Sequence, residues 1–156
     1  MARVSQHLWF PERMEEAVRF YVDLIPGSSL GFIDTLPADS PAGPEGRVKI
    51  AAFTLGDQSY MAIEAGPLDP FNHAFSIRVA CDDQAEVDRL WAALEVGGTV
   101  EECGWLRDRF GLSWQIVPRR LSELMADPDR TKAKRVAQAM LTMVKLDIAA
   151  LEAAAR

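Results

Sequence analysis

EAVRFYVDLIPG, residues 16 to 27, and EVDRLWAALEVG, residues 86 to 97, are the two stretches on which the fold turns. Offsetting the chain by 70 positions (86 minus 16) lays Glu16 on Glu86, Arg19 on Arg89, Phe20 on Leu90 and Tyr21 on Trp91. The same offset lays Leu24 on Leu94 and Gly27 on Gly97. In each copy the apolar residues recur three and four apart, which gathers them on one helix face, and a glycine ends the run. A matched helix with a matched stop marks an internal repeat.

Working outward, the elements around the two helices repeat as well. Val4 to Phe10 alternates as a strand and is stopped by Pro11. Met14, Ala17, Val18, Tyr21, Leu24 and Ile25 give the first helix, closed by Pro26–Gly27. Ser29 to Thr35 is a second strand, and Leu36 to Arg47, with three prolines and two glycines, is a loop. Val48 to Leu55 and Ser59 to Ala65 form a hairpin around Gly56–Asp57. The pattern then restarts. Ala74 to Ala80 is a strand, Val87, Leu90, Trp91 and Leu94 mark the second helix, and Gly97–Gly98 ends it. Thr99 to Cys103, Trp105 to Arg109 and Ser113 to Val117 complete the copy.

The fold expected is α+β: two tandem βαβββ modules, 1–68 and 69–118, whose sheets curve around a cleft, followed by a helical extension over 119–156, all in one domain. In the extension, Asp127 before Pro128 reads as a capped helix start. Ala137, Leu141, Val144, Ile148 and Leu151 follow as an apolar seam, to be buried on the protein's own sheet or on a second subunit. A homodimer is expected.

The 156 residues are 49% hydrophobic and 26% charged, ordinary for one globular domain. The net charge of -6 and the lack of any basic run beyond Lys132–Ala133–Lys134–Arg135 argue against nucleic acid as a partner. No apolar run approaches the ~18 residues of a membrane span. Pro11 and Glu12 interrupt the start before a signal peptide could form. Cys81 and Cys103 allow at most one bridge, so a cytoplasmic protein is expected.

Two βαβββ modules in tandem resemble the vicinal oxygen chelate superfamily of glyoxalases, extradiol dioxygenases and bleomycin-resistance proteins. LWFPERMEEAVRFY (8–21), DSPAGPEGRV (39–48), LGDQSYMAIEAGP (55–67), DDQAEVDRLWAAL (82–94) and CGWLRDRFGLSWQIVP (103–118) are similar to its PhnB-like branch. Members of that branch often carry the name 3-demethylubiquinone-9 3-methyltransferase. The resemblance implies a divalent metal held by His and Glu side chains on the concave face. Here the implied ligand positions fall on Ser5 (or Gln6), Ala62, Ala74 and Gln115, none of them a histidine or a carboxylate. No metal and no cofactor are expected.

Strand alternation supplies the expected cavity face. Leu8 and Phe10 are assigned to the helix, leaving Ser5, His7 and Trp9 inward. Met61 and Ile63 are assigned to the helix, leaving Ala62 and Glu64 inward. Ala74, Ser76 and Arg78 face inward, as do Ser113 and Gln115, with Trp114 and Ile116 in the core. His73 takes the wrong parity.

The candidate ligand-binding residues are then His7, Trp9, Tyr60, Glu64, Ser76, Arg78, Cys103, Trp105 and Gln115. Glu64 is a general base if desolvated, or else a solvated or Arg78-paired carboxylate. Cys103 is a nucleophile or a small residue closing a strand. Trp9, Tyr60 and Trp105 supply an aromatic pocket, at least one of them being core. Arg78 with Ser76 anchors an anion or ends its strand in solvent. Gln115 hydrogen-bonds a ligand, water or cleft side chain, or satisfies backbone.

No glycine-rich turn joins a strand to a helix as a methyl-donor cradle would require, since Gly97–Gly98 ends a helix and Gly43 to Gly46 lies in a loop. The expected function is metal-independent binding of a small, partly aromatic molecule, as bleomycin-resistance relatives bind drugs. The alternative is an enzyme, either a metal-assisted lyase or dioxygenase or the methyltransferase of the branch's name.

Overall fold

Leu8 and Phe10, 2% and 1% exposed, fix the inner face of the first strand, and the first repeat assembles on them. A computed structural model describes all residues 1–156. Its first strand, β1 (Gln6–Phe10), is followed by helix α1 (Met14–Leu24) and by strands β2 (Ser29–Thr35), β3 (Lys49–Leu55) and β4 (Gln58–Glu64). Met14, Ala17, Val18, Tyr21 and Leu24 of α1 are buried, the stripe that the spacing predicts. Gly56 opens the β3–β4 turn at φ 58°, a left-handed conformation that a two-residue hairpin needs and a Cβ disfavours.

The second repeat has the same order: β5 (Ser76–Cys81), α2 (Gln84–Glu95), β6 (Thr99–Val100), β7 (Trp105–Arg107) and β8 (Ser113–Pro118). The strands lie in the orders β1-β4-β3-β2 and β5-β8-β7-β6, so each module places its last strand second. In both, that strand runs parallel to the module's first strand. At the start of α2, Asp83 accepts from the Glu86 N–H at 2.9 Å, and Glu86 returns an oxygen to the Asp82 N–H at 2.8 Å. Beyond α2, Gly98 leaves no room for a side chain, because a Cβ would sit 2.3 Å from the Arg107 carbonyl oxygen.

The chain divides into two compact units, Met1–Asp69 and Pro70–Arg156. The second unit includes helices α3 (Arg119–Met125), α4 (Arg130–Met140) and α5 (Ile148–Ala154). Val117 of β8 packs there with Leu121, Leu124, Val136, Leu146 and Leu151. No helix is long and apolar enough to cross a membrane.

Four expectations need correction. The faces of β4 are inverted: Tyr60 (5% exposed) and Ala62 (1%) lie toward α1, while Met61 is 38% exposed. The cause is register, since Leu8 pairs with Ala62 and Ala51 with Ala62, and paired residues share a face. The seam from Ala137 to Leu151 is not continuous. Leu141 and Val144 are exposed, because the chain leaves α4 after Met140 and the Met143 and Val144 carbonyls accept from the Cys103 and Gly104 N–H groups. The α4 cap is Asp129, which accepts from Thr131 and Lys132; Asp127 instead pairs with Lys132 at 2.7 Å. Finally, β5 begins at Ser76, so Ala74 and His73 precede it and strand parity does not apply to them.

Candidate functional site

Polarity separates the two faces of β8. Trp114 and Ile116 are fully buried under α2, and the Trp114 indole N–H donates to the buried Asp108 carboxylate at 2.8 Å. Alternation then turns Ser113 and Gln115 to the open face of the sheet. Register brings partners to them: Gln115 lies between Arg78 on β5 and Trp105 on β7, and Ser113 lies between Ser76 and Arg107. The Gln115 amide donates to the Ser76 hydroxyl at 2.9 Å. Gln115 thus bonds another open-face side chain.

Arg78, Cys103, Trp105 and Gln115 line one concavity of about 370 Å3. Its other walls come from Val117 of β8, Leu121, Ser122 and Met125 of α3 and Met140 of α4. The Arg78 guanidinium donates to the Ser122 hydroxyl at 3.2 Å, so it is tethered rather than free. Cys103 holds a left-handed backbone at φ 59°, unusual for a residue with a Cβ. The following hairpin side of Trp105 meets His73, whose ring centroid is 5.9 Å from the indole, and His73 Nε2 hydrogen-bonds Glu101. Arg107 approaches the other Glu101 oxygen at 3.7 Å. Cys81, the second thiol, is buried, and burial together with Glu86 and Asp82 pushes it up to about 12, so it is inert at neutral pH.

The expected residues of the first unit do not gather at one site: Glu64 lines a charged concavity with Glu12, Arg47 and Lys49, while Trp9 lines a separate apolar one. Tyr60 stacks on Phe53 with centroids 5.4 Å apart, and burial raises its hydroxyl above the ordinary tyrosine range. Glu64 turns toward the helix: its Oε1 accepts from the Met14 N–H at 2.9 Å and Oε2 lies 3.8 Å from Lys49. It caps α1, whose N-cap Arg13 offers no side-chain acceptor. Trp9 donates its indole N–H to the Gly66 carbonyl and lines an apolar concavity of about 390 Å3 with Leu36, Pro41, Val48 and Ile63. His7 is exposed beside Met61, its partner in register.

These placements do not fit a divalent cation. Ala62 points into the α1 packing, Ala74 sits in the turn before β5, and Gln115 presents an amide committed to Ser76. Within neither unit do three His, Cys, Asp or Glu side chains gather as a ligand set. Sequence reasoning missed the two methionines and Ser122 from the C-terminal helices, which no short-range pattern connects to β8. It also missed Arg107, although Arg107 stands two residues from Trp105 on the same strand face and could have been found by alternation.

Residues 2–117 match the family described as 3-demethylubiquinone-9 3-methyltransferase, and the chain belongs to that family. Among solved structures, it is similar to a putative 3-demethylubiquinone-9 3-methyltransferase, a PhnB protein, from Bacillus cereus. The two are 28% identical at a TM-score of 0.64, over 75% of this chain and 99% of the other. The fosfomycin resistance protein FosX from Mesorhizobium loti shares the fold at 14% identity and a TM-score of 0.56, over 81% and 98% of the chains. The trypanothione-dependent glyoxalase I of Leishmania major does so at 14% identity and 0.51, over 88% and 98%. All three are vicinal oxygen chelate proteins, and the architecture here is theirs. No curated protein matches the chain in sequence.

Proposed function

We propose that this member of the family binds, without a metal ion, a small and partly aromatic organic molecule on the open face of the β5–β8–β7 sheet. One observation carries the reading: Arg78, Cys103, Trp105 and Gln115, from three separate stretches of the sequence, surround a single concavity with Met125 and Met140. Its volume of about 370 Å3 lies in the range that small-molecule sites occupy. The wall chemistry suits an aromatic guest, since an indole offers a stacking face and methionine sulfur packs well against rings. Gln115 and Arg78 supply directional hydrogen bonds at the rim. The amide at 115, where the resemblance implies a metal ligand, supports binding that needs no cation.

Benzamide titration followed by calorimetry tests the proposal. Saturable binding that Trp105→Ala weakens at least tenfold is expected; binding indifferent to Trp105→Ala counts against it. Elemental analysis of the purified protein is expected to give no stoichiometric zinc, iron or nickel. About one metal per chain, lost in His7→Ala, would contradict the metal-free reading.

The family's description favours a second reading, methyl transfer. It requires a place for the methyl donor, and S-adenosylmethionine binding in calorimetry is the test. Gly97 and Gly98 here close α2 and make room for Arg109 and Arg107 respectively, which lends that reading no support. A homodimer belongs to the first proposal, its support reduced to the exposed Leu141 and Val144. Light scattering that gives a monomer at micromolar concentration would remove it. The two unpaired cysteines fit a reducing cytoplasm.

A further inference from the structure

Ser113 is wholly buried, yet its hydroxyl has no hydrogen-bond partner. Directly opposite it on β7, Arg107 has a buried Nε that is also unpartnered. Opposed residues of an antiparallel pair hold their Cβ atoms about 5 Å apart, so the two side chains leave the same face of the sheet as direct neighbours. Burial without a partner costs stability, and native proteins satisfy nearly all such groups. Arg107 Nε can only donate, and a serine hydroxyl can donate beside it. Although the serine oxygen could also accept, the two groups do not bond each other, so both hydrogens are left for an acceptor from outside the pair.

Neighbouring side chains satisfy neither group. Glu101 approaches the terminal Nη2 of Arg107 at 3.7 Å, which does not use the Nε hydrogen, and its second oxygen is taken by His73. Gln115 spends its amide donor on Ser76. Trp105 stands two residues from Arg107 on the same face, about 7 Å along the strand.

We propose that Arg107 Nε and Ser113 Oγ form an oxyanion-binding position, taking a carboxylate or phosphate-type oxygen of the ligand. It rests on the reading of this sheet face as the binding face, and it narrows the ligand class to molecules with an anionic group within one rung of an aromatic contact. Two donors and one acceptor group close the hydrogen-bond account, with no proton transfer required.

The test follows the Arg107 Nε–H resonance of 15N-labelled protein, assigned by its loss in Arg107→Lys, in a buffer free of oxyanions. Formate and inorganic phosphate are added separately, which separates the two chemical sources. A saturable shift with either, weakened about fivefold in Ser113→Ala, is the expected result. The melting temperature of Ser113→Ala should hold or rise, because a structural hydroxyl would lower it and an orphan would not. A resonance unmoved by both anions at tens of millimolar, or a melting temperature lowered by several degrees in Ser113→Ala, overturns the proposal. Benzamide binding at Trp105 with an unmoved Arg107 sinks only the oxyanion position. An Arg107 response to formate without any benzamide binding supports that position and sinks the aromatic reading.

Discussion

β4 and β8 occupy the same place in their sheets, second in order and parallel to the module's first strand, yet they distribute polarity in opposite ways. β4 turns its one acid, Glu64, toward α1 as a helix cap and leaves Met61 and Ile63 on the open face. β8 buries an indole and an isoleucine under α2 and turns the half-buried Gln115 amide and the buried Ser113 hydroxyl to its other face. The concavities beside the two indoles follow suit, although the first unit also holds a charged one lined by Glu12, Arg47, Lys49 and Glu64. The one beside Trp9 is walled by Leu36, Val48 and Ile63; the one beside Trp105 adds a guanidinium, an amide, a hydroxyl and a thiol. The two modules share one backbone order and differ in the chemistry that these two strands present. Topology alone therefore says little about which module recognises a ligand.

The comparison breaks most visibly on stability. Trp114→Ala is expected to cost about 3–5 kcal/mol in urea unfolding, since it empties a fully buried site and deprives Asp108 of a donor. Met61→Ala, on the open face of β4, should cost less than about 1 kcal/mol. Similar values for the two would mean that the open side of β4 is as tightly packed as the α2 side of β8. Glu64→Ala comes next, at about 1 kcal/mol, the worth of a helix cap, and Glu64→Gln should recover part of it. If Glu64→Ala is neutral in denaturation but alters ligand binding, Glu64 belongs on the other face after all. Gln115→Leu is the smallest effect: stability within about 0.5 kcal/mol of wild type, with benzamide affinity lowered by about 1 kcal/mol.

Much of this was legible in the sequence. The repeat, the helix stripes of α1 and α2 and the span of β2 follow from spacing and from the glycines that end each run. The faces of β1 and β8 follow from alternation, because Leu8, Phe10, Trp114 and Ile116 are the large apolar members of their strands. The same rule misled at β4, where Met61 and Ile63 outsize Ala62. There the hairpin held the better signal: a turn at Gly56–Asp57 pairs Leu55 with Gln58, which carries Phe53 to Tyr60 and Ala51 to Ala62. At the C-terminus, Ala137 to Leu151 keep helical spacing across a break. The break is fixed by a distant demand, the N–H groups of Cys103 and Gly104, which local periodicity cannot report. The unsatisfied pair Arg107 and Ser113 is a property of burial, and no sequence pattern encodes it.

Residue-resolved chemical-shift mapping with benzoate tests most directly whether recognition belongs to the second module alone. Changes confined to Arg78, Trp105, Arg107, Ser113 and Gln115, with His7, Met61 and Ile63 unmoved, are the expected result. Changes centred on His7, Trp9, Met61 and Ile63 instead, with the β8 residues silent, would contradict it.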